Sequence, residues 1–367
     1  MALAAPLWAS AWPNGYGFRR SITANSGQTP SAQSGFPMLF AGTYGYLATT
    51  GNGGKIDNTV AAGSGSSGGD TAPADLIFTS DAAGTSLLQW EVESYNPATG
   101  AIVAWVRWNS ISDGATIYLF YGNPAVTTLQ STPGSVWDAN YMGVLHFPDG
   151  TNLSVADSTG RLTTTNHGAT ATDGVGDGAM AASGGPYVDL GTTVYGLGIR
   201  QSATFSGWMR LRSNSYNDTM MGDWNNYVGM ALRVDDGNAS ATFYVYPDNN
   251  DNLRLNPSYN FQMNTWYYLV GVMDGATMRL YINGSEAASG PLGEDIGNSG
   301  ADLMVANRGD LVLPAYGDID EARISNTARS ADWIATEYNN QSAPGNFYAV
   351  GAEQSGTSGG SGFAVIL

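Results

Sequence analysis

The chain has 367 residues, a formal net charge of −17 and no cysteine, a length that suits about two domains with separate cores. Only Lys55 among its 14 basic residues is a lysine, so the surface repels phosphate backbones and argues against nucleic acid or anionic lipid as a partner. Without cysteine there is no disulfide or thiolate metal site, and with only His146 and His167 no histidine-rich zinc site; no apolar run approaches the ~20 residues that insert across a membrane.

The 49 Gly, 20 Tyr and 10 Trp, with many Thr and Val and few helix formers, indicate an all-β chain. Its start, MALAAPLWASAWPNG, is apolar and ends in small residues like a signal peptide, but lacks a basic residue before Arg19. For a protein working outside cells, the first methionine fits intracellular assembly and release by lysis, as for a virus particle.

PADLIFT, SLLQWEVESY, AIVAWVRW and ATIYLFYG follow as short strands between turn clusters. In the second, Leu88, Trp90 and Val92 alternate with Gln89, Glu91 and Glu93, the pattern of a strand with one buried face. The preceding loop, Gly51 to Gly69, matches a dinucleotide fingerprint at Gly63, Gly65 and Gly68 and a nucleophile elbow around Ser67. Both motifs require a helix to follow, and PADLIFT is a strand.

From about Trp137 the strand pattern restarts with ATFSGWMRLR, MALRV, ATFYVY, TWYYLVGVM and TMRLYI. Asp274-Gly275 and Asn283-Gly284 bracket the last as hairpin turns. One helix is expected, SADWIATEYNN, capped by Ser330 with Asp332 in its first turn, and Trp333, Ile334 and Tyr338 dock it on a sheet. A Gly/Ser linker and the apolar FAVIL, Phe363 to Leu367, close the sequence. FAVIL either adds to a neighbouring subunit or folds back on its own domain.

GFRRSIT, GFPMLF, PADLIFTSDAAGTSLLQWEVESYN, AWVRWNSIS and ATIYLFYGNP occur in order across residues 16–124. That segment resembles an uncharacterised β-sandwich domain of bacterial, archaeal and phage surface proteins. VWDANYMGVLHF, DSTGRLTTTNHG, YVDLG, TWYYLVGVMDGATMRLYINGSEAASG and GDIDEARISNTARSADWIATEYNNQ follow. They resemble the concanavalin A-like, laminin G-like sandwich that commonly succeeds that domain. The expected architecture is two tandem antiparallel β-sandwiches, the second a concanavalin A-like jelly roll, with one short helix in the C-terminal region. The expected divisions are 1–130, a platform with an apolar arm; 131–353, the jelly roll; and 354–367, the linker and tail.

The superfamily includes hydrolases, carbohydrate-binding modules, adhesins and laminin modules, so fold alone does not fix function. A related hydrolase family carries Glu-x-Asp-x-x-Glu on one strand, and retaining chemistry needs carboxyls roughly 5 Å apart. GDIDEARIS supplies Asp318, Asp320 and Glu321, with Arg323 where a third acid would stand. Strand alternation puts Asp318 and Asp320 on one face with Ala322 and Ile324, and Glu321 with Arg323 on the other; no catalytic residue is assigned. The resemblance also implies a structural calcium between an early loop and a late strand, carried over to Asp157 and Asp320, although Arg161 and Leu162 depart from the usual loop. The alternative for Asp320 is backbone hydrogen bonding.

For carbohydrate binding, GDWNNY offers Asp223, Trp224, Asn225 and Tyr227, and YPDNND offers Tyr246 and Asp248 beside Asn250 and Asp251. The competing reading makes the aromatics sheet cover and the Asn and Asp residues turn formers. The expected protein is a non-enzymatic virion surface component, a phage fibre, tail or head-decoration protein. Its partners are other virion or surface-assembly subunits, further copies of itself as a homo-oligomer, and a glycan or host-surface polymer. A secreted, cell-surface adhesin or matrix protein and a polysaccharide hydrolase are the alternatives.

Overall fold

Strand formers bounded by turn residues give antiparallel sheets throughout. The computed structural model describes residues 12–62, 71–148, 152–213, 217–247 and 253–356. The apolar arm before Trp12, both motifs at Gly63 to Gly68, Asp248, Asn250, Asp251 and FAVIL lie outside the described residues.

In the first sandwich, one sheet orders Tyr348–Val350, Phe18–Ala24, Thr116–Tyr121 and Leu76–Thr79. The other orders Gln33–Thr43, Ala101–Ile111 and Trp90–Asn96. Ile22, Phe36, Phe40, Phe78, Trp90 and Leu119 lie in the core between them. Gln354–Ser355 also pairs with Phe18–Ala24, so this sandwich is closed by late residues and the expected boundary at Glu353 falls within its sheet region.

The second sandwich stacks a seven-stranded sheet on an eight-stranded one. The first runs from Thr165–His167 through Asn217–Gly222, Gly229–Asp235 and Ser240–Tyr246 to Leu253–Leu255. The second centres on Tyr316–Ser325 and Ser202–Leu211, with Trp266–Asp274 beside them. Met209, Met220, Leu232, Phe243, Leu269, Ile319 and Ile324 fill the space between. Asn283 and Gly284 both have positive φ, 50° and 77°, the twist a two-residue hairpin needs between Thr277–Ile282 and Ser285–Pro291.

The helix Ala331–Ser342 forms as expected, with the Ser330 side chain accepting from the Trp333 amide. It docks both sandwiches. Trp333 meets Phe36 edge-on at 5.2 Å between ring centroids, while Ile334 joins Trp208, Tyr268 and Val270. The Asn340 amide accepts from the Leu39 N–H at 2.6 Å and donates to the Leu39 carbonyl at 3.0 Å. This side chain therefore completes the backbone bonding of an edge strand, Gln33–Thr43.

Candidate functional site

The first concentration of chemistry is a buried seam between the sandwiches. Glu91 and Glu93 are 3% and 2% exposed, which corrects the one-sided burial expected of their strand: their face meets the second sandwich. Trp137 Nε1 and His146 Nε2 contact Glu91 Oε1 at 2.8 and 3.1 Å, and the Gly134 amide donates to Glu91 Oε2 at 2.7 Å. Trp105 Nε1 donates to Glu93 at 2.8 Å.

Glu321 completes the seam because the strand alternation breaks. Ser206 lies opposite Arg323 and Trp208 opposite Asp320, so a bulge adds one residue, with Glu321 at φ 52°. Ile319, Ala322 and Ile324 then enter the core. Asp318 and Asp320 are ranged with Glu321 and Arg323 on the other side. The expected separation of the acids is thereby overturned, as is the shared face of Asp320, Ala322 and Ile324.

His146 Nδ1 lies 2.7 Å from Glu321 Oε1, and Arg323 Nη2 donates to Glu321 Oε2 at 2.6 Å. Arg323 also reaches Glu337 at 3.3 Å and lies over Trp105 and Trp137, 4.3 and 4.9 Å from their centroids. Burial opposes charge on His146, but Glu321 and Glu91 outweigh it and raise its pKa to about 10. Burial likewise pushes Glu321 up, yet His146 and Arg323 hold it below the ordinary range. Glu93 and Asp320 are raised, chiefly by burial and then by neighbouring acids.

Glu93, His146 and Glu321 bring ligand atoms within 4.8 Å of one another. Both imidazole nitrogens nevertheless face carboxylates, so His146 acts as the buried cation of a domain-joining network. The carboxyls are also sealed: Asp320 is 1% and Glu321 5% exposed.

The residues expected to share calcium are both held by hydrogen bonds from the chain itself. Asp157 Oδ1 accepts from the Val144 and Thr159 amides, and Oδ2 from the Thr159 hydroxyl and the Arg161 and Leu162 amides. Asp320 accepts from the Val175 and Glu321 amides, both at 2.8 Å. These are backbone anchors with their oxygens engaged, and neither belongs to the three-ligand group found among the described residues.

The second concentration lies on the outer face of the seven-stranded sheet. Met230, Leu232, Val234, Phe243 and Val245 point inward, so alternation turns Ala231, Arg233, Tyr244 and Tyr246 outward. Trp224 packs on them, its ring 5.8 Å from Tyr246. Tyr227 stands edge-on to Trp224 at 5.4 Å and is 60% exposed. Arg308 lies over Trp224, 4.0 Å from its centroid. Trp224, Ala231, Arg233, Tyr244, Tyr246 and Arg308 line a cleft of about 60 Å³.

Of the expected carbohydrate-binding residues, Trp224, Tyr227 and Tyr246 thus come together, with Asn225 partly buried in the turn beside them. Asp223 does not join them. It is fully buried and accepts from the Val194 and Met230 amides and the Ser299 hydroxyl; burial raises its pKa to about 6, against those bonds. Arg233, Arg254 and Arg308 were not singled out from sequence. Arginine at alternate positions of an aromatic strand pair was the available signal.

Residues 182–335 match the concanavalin A-like lectin/glucanases superfamily. The second sandwich is a concanavalin A-like domain. Residues 72–159 match a domain of unknown function, DUF2341, a span that includes Glu91, Glu93, Trp105, Trp137 and His146. No curated protein matches the chain. Among solved structures, domain 4 of a GH43 extracellular arabinanase, AbnA from Geobacillus stearothermophilus, in complex with arabinotriose, is 19% identical with a TM-score of 0.45. That likeness covers 55% of this chain and 100% of the domain. The binding domain of Paraclostridial Mosquitocidal Protein 1 is 14% identical at TM-score 0.45, covering 54% of this chain and 52% of its own. Botulinum neurotoxin type G receptor binding domain is 17% identical at TM-score 0.43, covering 55% and 52%.

Proposed function

We infer that the chain is a non-enzymatic, surface-displayed protein whose concanavalin A-like domain binds glycan through the Trp224, Tyr227 and Tyr246 face. One observation carries this reading: Tyr227 is 60% exposed beside Trp224 and the Arg308 guanidinium, over a cleft lined by the buried Tyr244 and Tyr246, whereas Asp320 and Glu321 are sealed at 1% and 5% exposure. Aromatic platforms flanked by polar groups suit sugar rings, whose C–H faces stack while hydroxyls bond at the rim.

The biological setting is a virus particle, with the first sandwich as platform, the second facing the host and the chain assembled as a homo-oligomer. The net charge of −17 favours solubility of such a crowded array.

The test incubates the full chain with a polysaccharide panel and reads retention and released reducing ends. Retention without release is expected. Release abolished by Asp320→Asn or Glu321→Gln would establish a hydrolase instead. Antibody labelling of purified particles tests the setting, and a monodisperse monomer in solution would overturn the oligomer.

A further inference from the structure

We propose that the Trp224–Arg308 cleft selects a saccharide bearing a carboxylate, a uronate or a similarly acidic sugar, over its neutral counterpart. This rests on the glycan-binding reading above and specifies its ligand class.

Cations gather at this cleft. The chain has only 14 Lys and Arg against 31 Asp and Glu, yet Arg233, Arg254 and Arg308 all converge on this aromatic cluster. Arg233 lies over Tyr244 at 4.4 Å and Arg308 over Trp224 at 4.0 Å. Arg233 Nη2 donates to the Tyr244 hydroxyl at 2.7 Å, and Arg254 Nη1 reaches the same oxygen at 3.4 Å. The guanidinium groups are therefore positioned by rigid sheet side chains.

Donors outnumber free acceptors around the cleft. Asp235 lies 2.7 Å from Arg233 Nε, and Asp310 engages Arg308 through Nε and Nη2. Arg254 makes no ion pair among the described residues. Trp224 Nε1 is buried without an acceptor among them. Arg233 and Arg308 are thus neutralised by carboxylates, and the surplus positive charge is that of Arg254 beside the lining, with the Tyr244 oxygen already taken by two guanidinium groups. An acceptor-rich anion satisfies the indole N–H and offsets that surplus charge, while a neutral hydroxyl offsets none of it.

The cleft is also small, about 60 Å³ against roughly 300–1,000 Å³ for a pocket that encloses a whole drug-sized ligand. A planar carboxylate matches the guanidinium fork in its wall, and the cleft does not enclose a whole sugar ring. The ring would remain outside on exposed Tyr227, with its carboxylate inserted.

The test titrates the full chain with polygalacturonate, the carboxyl-reduced polymer made from it, dextran and dextran sulfate. The expected result is at least tenfold tighter binding of polygalacturonate than of the reduced polymer, weakening as salt rises. Arg254→Gln and Arg308→Gln should each erase most of that preference with unchanged thermal melting; Arg254 is exposed, so its variant tests the idea even if Arg308→Gln misfolds. Equal binding of the acidic and reduced polymers overturns the carboxylate assignment and leaves glycan binding intact. Dextran sulfate binding as tightly as polygalacturonate overturns it in favour of general anion capture. Retention of none of these, nor of any polysaccharide in the wider panel, removes both readings.

Discussion

Replacing Arg323 with methionine should cost roughly 3–5 kcal/mol, the usual penalty for removing one partner of a buried ion pair. Arg323 is 1% exposed and bonded to Glu321 and Glu337, so methionine would leave two buried carboxyls without their common cation. The aliphatic replacement retains part of the packing against Trp105 and Trp137, and the loss is mainly electrostatic. Glu337 also accepts from the Tyr141 and Tyr268 hydroxyls at 3.1 and 2.9 Å, which softens its exposure but cannot supply charge. The assay is urea unfolding at neutral pH followed by tryptophan fluorescence, to which Trp105 and Trp137 of the seam contribute among the chain's 10 Trp. Arg323→Lys keeps the charge, loses the fork, and should fall between wild type and Arg323→Met. A loss below about 1 kcal/mol for Arg323→Met would refute the view that this ionic network joins the sandwiches.

His146 gives the seam a defined pH response. Its native pKa of about 10 exceeds the ordinary 6.5, so its stabilisation is complete below pH 6.5 and is lost as pH rises through the native value. Wild type should therefore lose about 2 kcal/mol more than His146→Gln between pH 7 and 9, measured by urea unfolding at each pH; parallel profiles would contradict the charged histidine. Asp157→Ala should lower stability by roughly 2–4 kcal/mol by orphaning several buried amides, with the same loss in calcium and in chelator. Rescue of wild-type melting by calcium alone would restore the metal reading.

Much of the fold was legible because Trp, Tyr, Val and Ile runs are cut by Gly, Asn and Asp turns, and because Ser330 and Asp332 mark a helix start. The seam was not legible, for two reasons. Glu91 and Glu93 read as solvent-facing by alternation, and a second domain covering that face leaves no local trace. The bulge at Glu321 inverts the alternation over the very residues whose faces mattered, and Glu has no turn propensity to announce a positive φ. At the candidate glycan face, the aromatic pair Trp224 and Tyr227 was visible as a dense local motif. The three arginines arrive from Gly229–Asp235, Leu253–Leu255 and the turn at Arg308, and only strand pairing sets Tyr244 between Ala231 and Arg254, with Arg233 diagonal to it opposite Thr242.

Isothermal titration of the full chain and its Trp224→Ala variant, against a polysaccharide that the wild type retains, tests the central claim most directly. The account predicts at least a tenfold weaker affinity for the variant, with a melting temperature close to wild type. Unchanged affinity in a folded Trp224→Ala protein would contradict it and place glycan recognition elsewhere on the chain.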